Sequence, residues 1–314
     1  MKYLKIILIP VAVSVIIVFA LNGILLLVDT EQYTLDDSAR KNADGSYIQL
    51  TDGITHYELD GPDSGKVVVL VHGFSVPYYI WDSTYVKLVH EGYRVLRYDE
   101  YGRGYSDRPD KVYKASLLRR QLEELLAALK IQSVHAIAGL SFGGPVVTDF
   151  VIHHPSQVDK IILVDPFFPL ESEKPTKSFY PESLMEVKMA LSPEDMVNGQ
   201  LSDLKYPERF PQWTEQYKAQ MQYKGFRHAL ISTRLHYASP ETMRANYKEL
   251  SELHKPILLV WGKEDNTTPF SSSDELRKII TTEFMAVDAA AHLPHMEKAS
   301  VVNERIYEFL KTDK

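Results

Sequence analysis

The sequence predicts an α/β protein: a mostly parallel, eight-stranded sheet with helices on both faces and an inserted helical cap. Three observations predict it. Strand-like and helix-like stretches alternate over most of the chain. Several strand stretches are unbroken apolar runs, as expected for strands buried on both faces. The alternation stops over residues 167–254 and then resumes, which marks an insertion.

The elements follow in order. "YIQL" (47–50) and "ITHYEL" (54–59) flank Asp52-Gly53 and read as a hairpin. "KVVVLV" (66–71) is a β-branched run, and residues 79–91 read as a helix leading to the strand "YRVLRY" (93–98). Residues 115–131 carry apolar side chains at 117, 118, 122, 125, 126 and 129, a helical stripe. "SVHAIAG" (133–139) is a strand, and "FGGPVVTDFVIHH" (142–154) is a helix whose Pro145 fits the first turn. "KIILVD" (160–165) is a strand. Residues 167–254, rich in Pro, Tyr, Glu and Lys, are expected to form the cap. "PILLVWG" (256–262), a helix over 271–280, "TEFMAV" (282–287) and a helix over 299–312 complete the body. The body is thus 47–166 and 255–314. In open α/β sheets ligands bind beyond the carboxyl ends of the strands, and the insertion emerges there.

The amino terminus is different. Residues 6–28, "IILIPVAVSVIIVFALNGILLLV", hold no charge and would span the ~30 Å hydrocarbon layer as a helix at ~1.5 Å per residue. The apolar run exceeds that of a signal peptide, and no small-residue cleavage site follows. This favours an uncleaved anchor over residues 1–28, with secretion after cleavage as the alternative. Lys2 and Lys5 precede the segment, and Asp29, Glu31, Asp36 and Asp37 follow it. By the positive-inside rule the body lies on the extracytoplasmic side. Residues 29–46 are polar and read as a linker.

The 314 residues are 45% hydrophobic and 25% charged, an ordinary globular composition, with a net charge of -7. A mildly acidic body speaks against nucleic acid as a partner, since binding phosphates needs a basic face. Cysteine is absent, which removes disulfides, thiolate metal sites and a cysteine nucleophile. No phosphate loop, dinucleotide fingerprint or His-Glu-x-x-His metal motif occurs, so no cofactor and no metal are expected.

Ser141 lies in "AGLSFGG" (138–144), between a strand and a helix. A serine there packs poorly, but a sharp strand-to-helix turn would expose its hydroxyl, and Gly139 and Gly143 would relieve the crowding. A serine hydroxyl is a weak nucleophile at neutral pH. It needs a base and an acid that orients the base. His292 sits between the last strand and the last helix, with His295 as its rival. Asp265 follows the strand "PILLVWG" in a short loop, with Asp165 and Glu264 as rivals.

"VHGF" (71–74), "RYDEYGRGYSDRP" (97–109), "GLSFG" (139–143), "WGKEDNTTP" (261–269) and "AAHLPHMEKA" (290–299) occur in this order. Together they resemble the α/β-hydrolase fold family, specifically its capped serine esterases and lipases, over nearly everything after residue 46. The family order of nucleophile, acid and histidine implies Ser141, Asp265 and His292. The family places its histidine five residues before a glutamate, which selects His292 with Glu297. Ala291 stands where the family usually has glycine. The backbone N–H groups of Phe142 and Phe74 would form the oxyanion hole. His72 is read as shaping its turn, and "YDEYGRGYSDRP" as a structural loop. Tyr and Trp side chains of the cap either line a pocket or pack the cap on the body.

The resemblance implies a serine hydrolase that cleaves carboxylic esters through an acyl-enzyme. An anchor beside a capped site suggests lipid-like esters such as monoacylglycerols as the small-molecule substrate. A carbon–carbon bond hydrolase, a perhydrolase and a non-catalytic receptor on the same fold are the alternatives. Epoxide hydrolases and dehalogenases of this fold use an Asp nucleophile, and Ser141 speaks against both.

Overall fold

The computed structural model describes residues 19–20, 23–24, 27–41, 43–170 and 182–312. Its eight strands are β1 (Ser46–Leu50), β2 (Gly53–Asp60), β3 (Val67–Val71), β4 (Arg94–Tyr98), β5 (Val134–Leu140), β6 (Val158–Val164), β7 (Ile257–Gly262) and β8 (Glu283–Val287). They form one sheet in the order β1-β2-β4-β3-β5-β6-β7-β8. β2 is antiparallel to β1 and β4, and every other pairing is parallel. The expected mostly parallel, eight-stranded sheet is therefore found.

The unbroken apolar runs have a direct cause. Alternate residues of a strand face opposite sides of the sheet. Val69 and Val71 of β3 join one core with Leu122, Leu125 and Phe150, while Val68 and Leu70 join a second core with Trp81, Leu88 and Phe309. Both sides are covered, so both parities must be apolar. The first core is supplied by α3 (Ala115–Ala128) and α4 (Gly143–His153), and the second by α2 (Asp82–His90) and α12 (Ala299–Lys311). Leu122 and Leu125 of α3 are fully buried, each contributing about 1.5–3 kcal/mol by leaving water. A four-residue helix, α1 (Asp37–Arg40), precedes the sheet.

The stretch expected to be a cap contains α5 (Glu182–Leu191), α6 (Pro193–Leu201), α7 (Trp213–Met221), α8 (Phe226–His236) and α9 (Pro240–Glu252). α9 starts cleanly, because the Ser239 hydroxyl accepts the Thr242 N–H at 3.2 Å and Pro240 occupies the first turn. It packs on α4 of the body, where the Tyr247 hydroxyl donates to the Phe167 carbonyl at 3.1 Å. α9 therefore returns the chain to the sheet's flank. Beyond β7 follow α10 (Ser271–Arg277) and α11 (Pro294–Glu297), the latter directly before α12.

Most of the expected anchor, residues 1–28, lies outside the described residues. Among the described residues no helix is long and apolar enough to cross a membrane. The polar stretch read as a linker is docked along much of its length. Asp29 and Glu31 pair with Arg227 of α8, and Arg40 pairs with Asp107.

Candidate active site

β5 ends at Leu140 and α4 begins at Gly143, so only two residues make the turn. Ser141 sits in the left-handed region at φ 51, a conformation that costs energy for a residue with a Cβ. Its N–H donates to Val164 O at 2.9 Å and its carbonyl accepts from Gly144 and Phe167, which holds the strained conformer in place. The glycines are sterically required. A Cβ on Gly139 would lie 2.4 Å from Gly143 O, and one on Gly143 would lie 2.5 Å from His72 O. The turn therefore lifts the Ser141 side chain into a cavity of about 720 Å³ between the body and the helices of residues 182–236. His292 lines the same cavity, as does Phe74.

His292 comes from the loop between β8 and α11. The loop reaches the sheet's rim because Gly262 ends β7: a Cβ there would meet Ala291 O at 1.9 Å. The departure at Ala291 is accommodated, since the left-handed residue of this loop is Ala289, at φ 52. Glu297 fixes the loop, with Oε2 accepting the Ala291 N–H at 2.7 Å and Oε1 accepting the Lys205 N–H at 2.8 Å. One carboxylate thus joins the histidine loop to the segment between α6 and α7.

The His292 Nδ1–H donates to Asp265 Oδ2 at 2.8 Å, and both side chains are buried. Asp265 is itself held by the Thr267 and Thr268 N–H groups, at 2.8 and 3.0 Å, and by the Thr268 hydroxyl at 2.7 Å. Burial pushes the Asp265 pKa up, but the His292 bond and charge outweigh it, so the carboxyl titrates below its ordinary range. Burial pushes the His292 pKa down, and the Asp265 bond and charge reverse that, leaving it above 6.5. An ionised Asp265 accepts only, so the proton sits on Nδ1 and Nε2 is left bare.

The rivals lie elsewhere or behind. Asp165, at φ 41, is fully buried and accepts the Gly262 N–H through Oδ1 at 2.9 Å. Burial first, and the Asp265 charge next, keep it protonated well above the ordinary carboxylate range. Ligand atoms of Asp165, Asp265 and His292 lie within 4.8 Å of one another, but His292 Nδ1 and Asp265 Oδ2 are committed to each other rather than to a cation. Glu264 pairs with Lys205. His295 turns its Nε2 to Ile80 O at 2.9 Å, and burial lowers its pKa to about 4. His72 Nδ1 donates to Gly73 O at 2.7 Å and its Nε2 accepts the Glu100 N–H at 2.9 Å, so it shapes the turn after β3.

Phe74 follows that turn, and its ring packs edge-on against Phe142 at 5.8 Å between centroids. Among the described residues neither the Phe74 nor the Phe142 N–H finds a backbone or side-chain acceptor. Arg103, fully buried, donates to Phe74 O at 2.8 Å and to the Thr233 hydroxyl of α8 at 3.1 Å. The loop "YDEYGRGYSDRP" therefore supports the turn carrying Phe74, as its structural reading anticipates. Asp203 was not legible in the sequence. It stands in a polar stretch with no motif, yet its carbonyl accepts the His292 N–H at 3.0 Å, its carboxylate accepts the Thr267 hydroxyl at 2.5 Å, and the residue lines the cavity.

The model of the alpha/beta hydrolase fold matches residues 66–299. An AB hydrolase superfamily protein of Bacillus subtilis, YisY, is 24% identical over 277 residues, 84% of this chain and 98% of the relative. The carboxylesterase YbfK of the same organism is 22% identical over 271 residues, 84% of this chain and 86% of the relative. Among solved structures, a meta-cleavage product hydrolase, CumD, shares the fold with a TM-score of 0.69 at 23% identity, over 84% of this chain and 97% of that one. The matched span covers the β3 turn, the serine turn, the aspartate loop and the histidine loop, and the chain belongs to the α/β-hydrolase fold family.

Proposed function

We propose that this hydrolase-fold protein is a serine esterase that cleaves carboxylic esters through an acyl-enzyme. The observation that carries the reading is the 2.8 Å bond from His292 Nδ1–H to Asp265, with the same ring facing the cavity that holds Ser141. Nε2 is then free to take the Ser141 proton as Oγ attacks the ester carbonyl. The oxyanion is met by the Phe74 and Phe142 N–H groups, each lowering the barrier by about 3 kcal/mol. The dipole at the α4 N-terminus adds to them. His292⁺ returns the proton to the departing alcohol, and the same steps with water release the acid.

The test is a panel of p-nitrophenyl esters of varied acyl length, with Ser141→Ala as control. Turnover in the intact chain and its loss in the variant is the expected result. Turnover that survives the substitution rejects the mechanism. Ligand binding with no turnover and no labelling by a fluorophosphonate makes the protein a receptor on this fold. The meta-cleavage product hydrolase that shares the fold suggests a second reading, carbon–carbon bond hydrolysis by the same three residues, which predicts turnover of a meta-cleavage product but not of the esters.

Residues 6–28 act in this proposal as a membrane anchor, with the body on the extracytoplasmic side. A reporter fused to the carboxyl terminus and active only outside the cytoplasm is expected.

A further inference from the structure

The stretch directly after the apolar segment leaves that segment no slack. Glu31 is buried and caps α8: its two carboxylate oxygens accept the Gly225 and Arg227 N–H groups at 2.7 and 2.6 Å. A carboxylate at a helix N-terminus satisfies donors that lack partners and meets the positive end of the dipole. The Arg227 side chain closes the clamp by donating to Asp29 and to the Thr30 hydroxyl, at 2.5 and 3.1 Å. Tyr33 then pairs backbone to backbone with residues 222 and 224. Asp29 is the first residue beyond the charge-free run 6–28, so the run ends against α8 itself.

α8 is also a wall of the cavity, since Leu230, Ile231 and Arg234 line it. Arg227 and Arg234 are seven residues apart, about 10 Å along the helix. The lip between α5 and α8 carries apolar and cationic side chains, and its carboxylates, Glu182 and Glu186, are turned to His236 and His228 of α8. Met185, Met189 and Lys188 line it from α5, and Lys188 and Arg234 are exposed and form no ion pair among the described residues. Asp195 and Asp203 also line the cavity. Large apolar side chains at the end of the charge-free run and at the end of α5 are uncovered: Leu27 is 87% exposed and Leu191 is 56% exposed. Uncovered apolar groups beside unpaired cations fit the chemistry of an anionic lipid surface.

We propose that the Asp29–Tyr33 strap holds the mouth of the Ser141 cavity at the lipid surface, so that the site takes an amphiphilic ester directly from the bilayer. This rests on the esterase and anchor readings above. The partner is the membrane, and the strap sets the height and orientation of the mouth above it.

The experiment inserts a 20-residue Gly-Ser linker between Val28 and Asp29. The strap and the cap stay intact, but the body gains a reach of about 25 Å. Full-length chains are reconstituted in vesicles of phosphatidylcholine and phosphatidylglycerol. The expected result is at least a tenfold loss of turnover on a long-chain ester embedded in the vesicle, with turnover of water-soluble p-nitrophenyl acetate unchanged. Equal rates on the embedded ester with and without the linker overturn the proposal. So does failure of the unmodified chain to float with the vesicles, which also rejects the anchor. If neither ester is cleaved and Ser141 takes no fluorophosphonate, the esterase reading fails and the proposal is read from a label instead. The chain has no cysteine, so Lys188→Cys and Asp63→Cys each accept a single fluorophore. Quenching by a lipid-borne nitroxide is expected at 188, is expected to fall with the linker, and is expected to be absent at 63. Equal quenching at the two positions overturns the proposal.

Discussion

Asp265→Asn isolates what the buried carboxylate does for His292. The asparagine carbonyl can keep the Thr267 and Thr268 N–H bonds, now 2.8 and 3.0 Å, so the loop after β7 retains its shape. The amide NH₂ then faces His292 Nδ1 across the present 2.8 Å contact and donates where Asp265 accepted. The ring responds by moving its proton to Nε2, the atom that takes the Ser141 proton in the proposed mechanism. Such a tautomer reversal costs about 10⁴ in kcat, or about 5.4 kcal/mol at 1.36 kcal/mol per tenfold. The pH profile moves as well. The base works when neutral, so kcat/KM rises with pH through the His292 pKa. Burial depresses that pKa and Asp265 lifts it above 6.5, so removing the charge moves the acid limb to lower pH. Asp165 adds a discriminating arm. It is held protonated by burial and by the Asp265 charge, with ligand atoms within 4.8 Å of the pair. In Asp265→Ala no amide donor faces His292 Nδ1, so the ring can keep its proton there with Asp165 as the remaining acceptor, and this variant retains more activity than Asp265→Asn. Asp165→Asn in the same background removes that remainder. The assay is kcat/KM on a p-nitrophenyl ester from pH 5 to 9, with a fluorescence melt to check folding. Asp265→Asn within tenfold of the unmodified chain, at unchanged melting temperature, refutes the reasoning.

The further predictions concern stability. His56 donates from Nδ1 to Asp99 at 2.7 Å and from Nε2 to Asp44 O at 2.6 Å, so the buried ring is an imidazolium. Burial lowers its pKa, but the Asp99 charge and bond raise it above 6.5; burial raises the Asp99 pKa, but His56 brings it below 3.8. The His56 contribution is therefore complete below pH 6.5 and lost as pH rises through the folded value. That of Asp99 is present above 3.8 and lost on acidification. Urea midpoints should fall from pH 6 to pH 9, and Asp99→Asn should cost about 3–5 kcal/mol at pH 6; a flat profile would contradict the pairing. Gly139→Ala forces a Cβ to 2.4 Å from Gly143 O, against rigid backbone, and should destabilise by about 1–3 kcal/mol while depressing turnover. Gly199→Ala, in α6 with nothing within 4 Å of its Cβ, should instead stabilise by about 1 kcal/mol, as thermal melts of the two variants will show.

Legibility followed the range of the interactions. The strands β3 to β7 could be read because each is short, contiguous and buried on both faces, so its own residues carry the full signal. The serine turn is equally local: Gly139, Ser141 and Gly143 lie within five residues, and the steric demand acts among them and the β3 turn. The helices after residue 182 were harder, since their apolar faces pack on the body and on one another amid Tyr, Lys and Glu. The return of α9 to α4 depends on Tyr247 meeting Phe167, 80 positions away. Asp203 carried no signal, because its contact with His292 exists only once α6 lies over the sheet's rim.

The sequence by itself determined the sheet and the chemistry-bearing residue types, because backbone periodicity and turn sterics are written in neighbouring residues. Only the tertiary structure decided which carboxylate faces His292, since Asp165 and Asp265 both end strands of the same sheet and differ in which rim loop reaches the ring. It alone also turned residues 29–33 from apparent linker into a clamp. Glu31 and the N–H groups it caps are 194 and 196 positions apart, and a charge that distant in the chain meets a helix dipole only after the whole body has closed.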